Sequence, residues 1–171
     1  MHKRTDTILA LDPGLGELGY AVVSRGRLLT SGVLPLRFTP ARRRFQRICE
    51  SLDGWIRAYR PRALVFENIP KRPLDALAGL PALGRLLIRL ARNHRLRMAT
   101  YSAKAVRREV IGNGWADKRE VAEVICGWFP DLRVHLTHDR KWKERYWQNM
   151  FDAIALALHH QAATKPPSRG R

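Results

Sequence analysis

The chain has 171 residues, 45% of them apolar, and a formal net charge of +17 from 32 Lys and Arg against 15 Asp and Glu. That apolar share supports a buried core and excludes wholesale disorder, while the charge asks for a polyanionic partner, usually a nucleic acid, whose phosphates attract Lys and Arg and release counterions. No apolar run reaches the ~20 residues that span a bilayer, the N-terminal run is too short for a signal peptide, and Cys49 and Cys126 stand at no metal-ligand spacing, so a reducing cytoplasm is expected rather than a disulfide scaffold.

In chain order, Thr7 to Leu11 is a short apolar run that predicts a strand, and the turn DPGLGELG follows it. Gly19 to Ser24 predicts a second strand, Gly26 a hairpin turn, and Arg27 to Leu34 a third strand. Pro40 opens a helix with Phe45, Ile48, Leu52, Trp55 and Ile56 at helical spacing. Ala63 to Phe66 is a fourth strand. Leu74 to Asn93 is a helix whose apolar stripe runs through Leu83, Leu86, Leu87 and Leu90, with its arginines largely off the stripe. Leu96 to Tyr101 is a fifth strand, and Ser102 caps a short helix to Ile111. IGNGW breaks the chain, and Asp117 with Glu120 forms a capping box for a helix ending near Pro130. Residues 131–145 are polar, basic and without a clear pattern. Tyr146 to Gln161 is the final helix, with His159 and His160 expected at its surface. Residues 1–163 form one domain, and 164–171 a basic tail expected to be disordered.

Three consecutive strands with short links form an antiparallel meander. The strand–helix–strand links that follow favour parallel pairing by right-handed crossover. The fold class is therefore α/β, with a five-stranded mixed sheet flanked by helices.

Acids are scarce, so their placement is informative. Asp12 closes the first strand, Glu67 closes the fourth, and parallel pairing of those strands would set the two carboxylates side by side. Asp152 opens the apolar part of the final helix, with Asn149 on the same helical face. Three neighbouring carboxylates repel one another unless a cation intervenes. Hard divalent ions such as Mg²⁺ and Mn²⁺ prefer such oxygen ligands, and two of them about 4 Å apart can activate a water and stabilise the leaving oxygen of a phosphodiester. Each acid also has a plainer reading: Asp12 as a turn residue before Pro13, Asp152 as a surface acid paired with Arg145. His135 and His138 lack the neighbours a zinc site needs. DPGLGELG lacks the spacing of a phosphate-binding loop, and no GKS or GKT element is present.

Four segments resemble the RuvC-type Holliday junction resolvases of the RNase H-like superfamily. ILALDPGLGELGYAVV is similar to the family's opening strand and turn, ALVFENIP to its second motif, VRREVIGNGWADKREV to its basic third segment, and NMFDAIALALHH to its last helix. They occur in family order and span most of residues 7–160. The resemblance implies an RNase H-like fold and a homodimer that cuts four-way DNA junctions with Mg²⁺ or Mn²⁺, two ions per site. By motif match, Asp12, Glu67 and Asp152 would be metal ligands, and Arg107 and Lys118 would approach the scissile phosphate. Lys118 would stabilise developing negative charge. A dimer surface is expected on the Leu74 to Asn93 helix. A branch-migration helicase is a partner the resemblance leaves open.

Two departures bear on activity. Asn149 stands where the family has an acid or sometimes a histidine. Its amide oxygen can ligate a metal but adds no negative charge, so a weaker site with a Mn²⁺ preference is expected, and loss of cutting is an open alternative. After Glu67 the family commonly offers an aromatic residue to stack on junction bases, whereas here Asn68, Ile69, Pro70 and Lys71 follow. Ile69 or Pro70 would wedge between bases instead. Trp142, Tyr146 and Trp147 interleave with cations and suit either DNA or core contacts. The alternative functions are a branched-DNA-binding protein with weak or lost nuclease activity, and another RNase H-like nuclease acting on RNA–DNA hybrids or transposon ends.

Overall fold

A computed structural model describes residues 6–14, 16–69, 79–136 and 141–164, with the helical backbone alone for 141–145. Strands β1 (Thr7–Asp12), β2 (Glu17–Ser24) and β3 (Arg27–Pro35) are followed by helix α1 (Ala41–Tyr59), strand β4 (Ala63–Glu67), helix α2 (Gly79–Asn93), strand β5 (Arg97–Tyr101) and helices α3 (Ala103–Ile111), α4 (Lys118–Trp128) and α5 (Lys141–Ala163). The sheet order is β3-β2-β1-β4-β5. The first three strands pair antiparallel, while β4 pairs parallel with both β1 and β5. The expected five-stranded mixed sheet is the one observed.

The period-2 alternation of strand side chains divides the core in two. Leu9, Leu11, Val22, Leu64 and Phe66 face α1 and α2, where Ile48, Leu52, Leu83 and Leu87 meet them. Ile8, Ala10, Ala21, Ala63 and Val65 face α5, with α3 and α4 packed beyond it. Full burial of each large apolar side chain contributes about 1.5–3 kcal/mol, so both faces hold the sheet firmly. Enclosed between the sheet and α3–α4, α5 buries an apolar surface most of the way round, from Met150 to Ala157.

Both expected helix starts at the α3–α4 segment are present. The Ser102 hydroxyl accepts from Ala105 N–H at 3.2 Å. Asp117 accepts from Arg119 and Glu120 N–H while the Glu120 carboxylate accepts from Asp117 N–H at 2.6 Å.

Two expectations are corrected. Helix α5 begins at Lys141 rather than Tyr146, because Lys, Arg and Glu are good helix formers even where apolar periodicity is missing. Before it, Pro130–His135 forms a 3₁₀ turn. His159 and His160 are buried, 9% and 8% exposed, rather than at the surface. Tyr101 at the end of β5 covers them, its hydroxyl 2.9 Å from His160 Nδ1 and its ring edge-on to His159. The tail from residue 165, the start of the predicted Leu74 helix, Pro70, Lys71 and the side chain of Trp142 lie outside the described residues. Both cysteines are free. No described helix is long and apolar enough to cross a membrane.

Candidate active site

The alternation that builds the core also aims the acids. Ile8 and Ala10 face α5, so Asp12 does too; Ala63 and Val65 face α5, and so does Glu67. The parallel register runs to Leu11↔Phe66, and Asp12 and Glu67 stand one residue beyond that pair. Both strands end there, so the carboxylates project from the carboxyl edge of the sheet, where open α/β sheets place their ligands.

Helix α5 brings the third acid through a close approach that a glycine permits. Gly19 pairs with Asp12 on the neighbouring strand. A Cβ on Gly19 would fall on the backbone carbonyl of Asn149, so only hydrogen at that position lets α5 lie so near the sheet. One helical turn on, Asp152 lines a cavity of about 10 Å³ together with Glu67 and Arg107, the size of a single water. The Asp152 carboxylate is only 15% exposed.

The electrostatics match this geometry. Burial, then repulsion from Asp152 and Glu67, hold the Asp12 carboxyl well above the usual carboxylate range, against a lesser pull from Lys118. Burial and Asp152 raise Glu67, opposed by Arg107 and Lys118. Burial also raises Asp152, opposed by Lys118, the Gln148 hydrogen bond and Arg107. Lys118, the first residue of α4, sets its exposed Nζ 3.8 Å from Asp152 Oδ2. Arg107 is half-buried in α3.

The donors therefore form an acidic pocket on a strongly basic chain. No three His, Cys, Asp or Glu side chains among the described residues stand close enough to enclose one ion. Mg²⁺ keeps several waters and takes one or two carboxylates plus substrate phosphate oxygens, and carboxylate oxygens are the donors that Asp12, Glu67 and Asp152 offer. Soft ligands are absent from this pocket, which disfavours zinc.

The remaining residues named from sequence are placed less uniformly. Asn149 is half-buried, and its Nδ2 donates to the Glu17 carbonyl at a long 3.4 Å. Ile69 does not stand free: it is half-buried, with Cδ1 3.1 Å from where a Cβ on Gly84 of α2 would lie. Gln148, which the sequence reading missed, is 7% exposed and donates from Nε2 to Asp152 Oδ1 at 3.3 Å. Its signal was available, since a residue four before an acid on a helix shares that acid's face.

Comparison with solved structures agrees with the fold. Thermus thermophilus RuvC in complex with Holliday junction substrate superposes with a TM-score of 0.70 at 26% identity, over 90% of this chain and 92% of that one. Fowlpox virus resolvase in complex with Holliday junction DNA superposes with a TM-score of 0.56 at 10% identity, over 94% of this chain and 99% of that one, a likeness of fold alone. The fold and its acidic edge define an RNase H-like protein. The family model described as crossover junction endodeoxyribonuclease RuvC matches residues 8–160. A crossover junction endodeoxyribonuclease RuvC of Marinobacter nauticus is 36% identical over 159 residues, 90% of this chain and 84% of that protein. The chain belongs to the RuvC family.

Proposed function

We propose that this protein is a metal-dependent endonuclease of the cytoplasm that resolves four-way DNA junctions as a two-fold dimer. The observation that carries the reading is the mutual repulsion of Asp12, Glu67 and Asp152 at the carboxyl edge of the sheet, on a chain of net charge +17. Two symmetric cuts in a junction require two copies of the site, hence the dimer, and α2 is the surface we assign to it. When bound, a pair of Mg²⁺ or Mn²⁺ ions would supply an activated water and Lewis-acid stabilisation of the leaving oxygen. Asp12, Glu67 and Asp152 hold that charge in place, with Gln148 orienting Asp152. Arg107 and Lys118 compensate the acids before DNA arrives. Lys118 then has the reach and exposure to turn to the scissile phosphate and stabilise its developing charge. The basic clusters on α1, α2 and α3 track the backbone.

The test is cleavage of a labelled four-way junction in Mg²⁺ or Mn²⁺. We expect paired nicks with the wild type and none with Asp12→Asn or Glu67→Gln, and persistent cutting by either variant would refute the site.

A second reading, a junction-binding protein with weak or lost cutting, is favoured by one observation. The Asn149 side chain adds no charge and is engaged with the Glu17 carbonyl. Asn149→Asp separates the two: cutting that appears only in this variant supports a decayed nuclease, whereas cutting by the wild type removes that reading. Competition among a junction, a linear duplex and an RNA–DNA hybrid tests the other RNase H-like activities.

A further inference from the structure

The turn between α3 and α4 carries an aromatic side chain that neither the core nor the acidic pocket uses. Trp115 is 80% exposed. Leaving an indole in water forgoes a large apolar burial, and the surroundings of this one are cationic. Lys104 Nζ lies 4.0 Å from the ring centroid, and Arg107, Arg108 and Lys118 belong to the same helix–turn–helix segment. Trp115 stands three residues before Lys118, whose Nζ reaches Asp152.

The turn fixes the backbone that carries the ring. Gly112 ends α3 at φ 81° and donates to the Arg108 carbonyl. Trp115 N–H donates to Asn113 Oδ1 at 2.9 Å, and Ala116 N–H to the Asn113 carbonyl at 3.2 Å. Ala116 is 1% exposed and anchors the turn in the core, and Gly114 rests against Lys104 and Arg108. An aromatic presented on a fixed backbone loses little entropy when something stacks on it. Phe38 and Trp128 are also exposed, at 93% and 51%, but among the described residues the ring with a cation over it is that of Trp115, and Trp128 is at the far end of α4 from Lys118.

An exposed aromatic ring with a lysine ammonium over one face matches single-stranded nucleic acid, in which bases supply the stacking partner and phosphates the countercharge. A protein interface of the same size would keep charge away from its centre. Of the two residues after Glu67 that the sequence offers as wedges, Ile69 packs on α2 and Pro70 lies outside the described residues.

We propose that Trp115 is a specificity-determining residue, a platform on which an unpaired base beside the cut strand stacks, with Lys104 supplying charge to the adjacent phosphate. The proposal rests on the junction-cutting reading and names the part of the site that tells a branched substrate from a plain duplex.

The test uses the full chain, a four-way junction carrying 2-aminopurine next to the crossover, and an unbranched duplex of the same sequence, with binding read in metal-free buffer. Trp115→Ala should lose roughly 5- to 150-fold in junction affinity, the range of one base–aromatic stack, with duplex affinity changed less than about twofold on the same grounds. Trp115→Phe should retain most of the junction affinity and Trp115→Leu should not. The 2-aminopurine signal should follow the same order, and Trp128→Ala should behave as wild type. Unchanged junction binding by Trp115→Ala would overturn the proposal. So would equal losses on junction and duplex, a leucine variant as good as phenylalanine, or a changed sedimentation state that makes the ring a contact between copies. The two readings fail separately. Wild-type protein that stacks and binds but cuts in neither Mg²⁺ nor Mn²⁺ sinks the nuclease and leaves the platform standing; wild-type cutting that Trp115→Ala fully retains, with full binding, does the reverse.

Discussion

Helix α5 carries two buried polar clusters, and they solve burial in opposite ways. At Asp152, carboxylates from β1, β4 and α5 crowd together, and burial and mutual repulsion raise their affinity for protons. At His159 and His160, two turns further on, imidazoles are kept neutral, burial lowering both, and Tyr101 bonds one of them. The histidine end carries no uncompensated charge but lacks one hydrogen bond: among the described residues, His159 Nδ1 is the buried side-chain polar atom without a partner. The acidic end is not complete, because its charges are offset only in part by Lys118 and Arg107. The deficit at one end is a single hydrogen bond; at the other it is charge, which folding alone does not meet and a bound cation would.

The sharpest way to break this contrast is at the close approach that creates the acidic end. Gly19→Ala drives a methyl into the Asn149 backbone, which a side-chain rotation cannot relieve. We expect a loss of roughly 3 kcal/mol in stability, measured by urea unfolding, together with loss of junction cutting.

Removing a charge from the acidic end should act in the other direction. Asp12→Asn eliminates a buried, repelled carboxylate, so metal-free protein should melt higher by a few °C, on the order of 1 kcal/mol. Saturating Mn²⁺ should raise the melting temperature of the wild type more than that of the variant. A variant that melts lower than wild type without metal would show the acidic end to be satisfied already.

Acid should move the two ends oppositely. The histidines have lowered folded pKa values, so the unfolded chain binds more protons and stability is lost as pH falls below about 6.5. The carboxylates have raised folded values, so the folded chain binds more protons, and stability is gained as pH falls through those values toward about 4. Metal-free Asp12→Asn should therefore lose stability on acidification more steeply than wild type, and His159→Phe less steeply. Parallel stability curves for all three proteins between pH 7 and pH 5 would refute the assignment.

The smallest effect is expected at the hydrogen bond itself. Tyr101→Phe should cost about 1 kcal/mol, read from the urea midpoint, with junction cutting unaltered.

Much of the acidic end was legible before any coordinates. A carboxylate that ends an apolar strand is a local pattern, and it brings Asp12 and Glu67 together provided the two strands pair in parallel, as they do. Lys118 was legible only through the resemblance of VRREVIGNGWADKREV to the family's basic third segment, while the capping box located the start of its helix. Gln148 was legible only in principle, because helical spacing places it beside Asp152 but does not say that the face is buried. The histidine end was not legible: near the end of a chain, His159 and His160 resemble surface residues until Tyr101, some sixty positions earlier, is seen to cover them. The exposure of Trp115 is of the same kind, since a tryptophan after Gly114 fits a core as well as a surface.

Charge, strand alternation and helix capping act between near neighbours, and through them the sequence by itself determined the mixed sheet and the strand ends that carry Asp12 and Glu67. Which groups are enclosed was settled only by the packed structure: Asn149 against Gly19, Tyr101 against the histidines, Ile69 against α2, and Trp115 exposed beside Lys104. Burial depends on every element that reaches a given point in space, and no window of sequence contains them all.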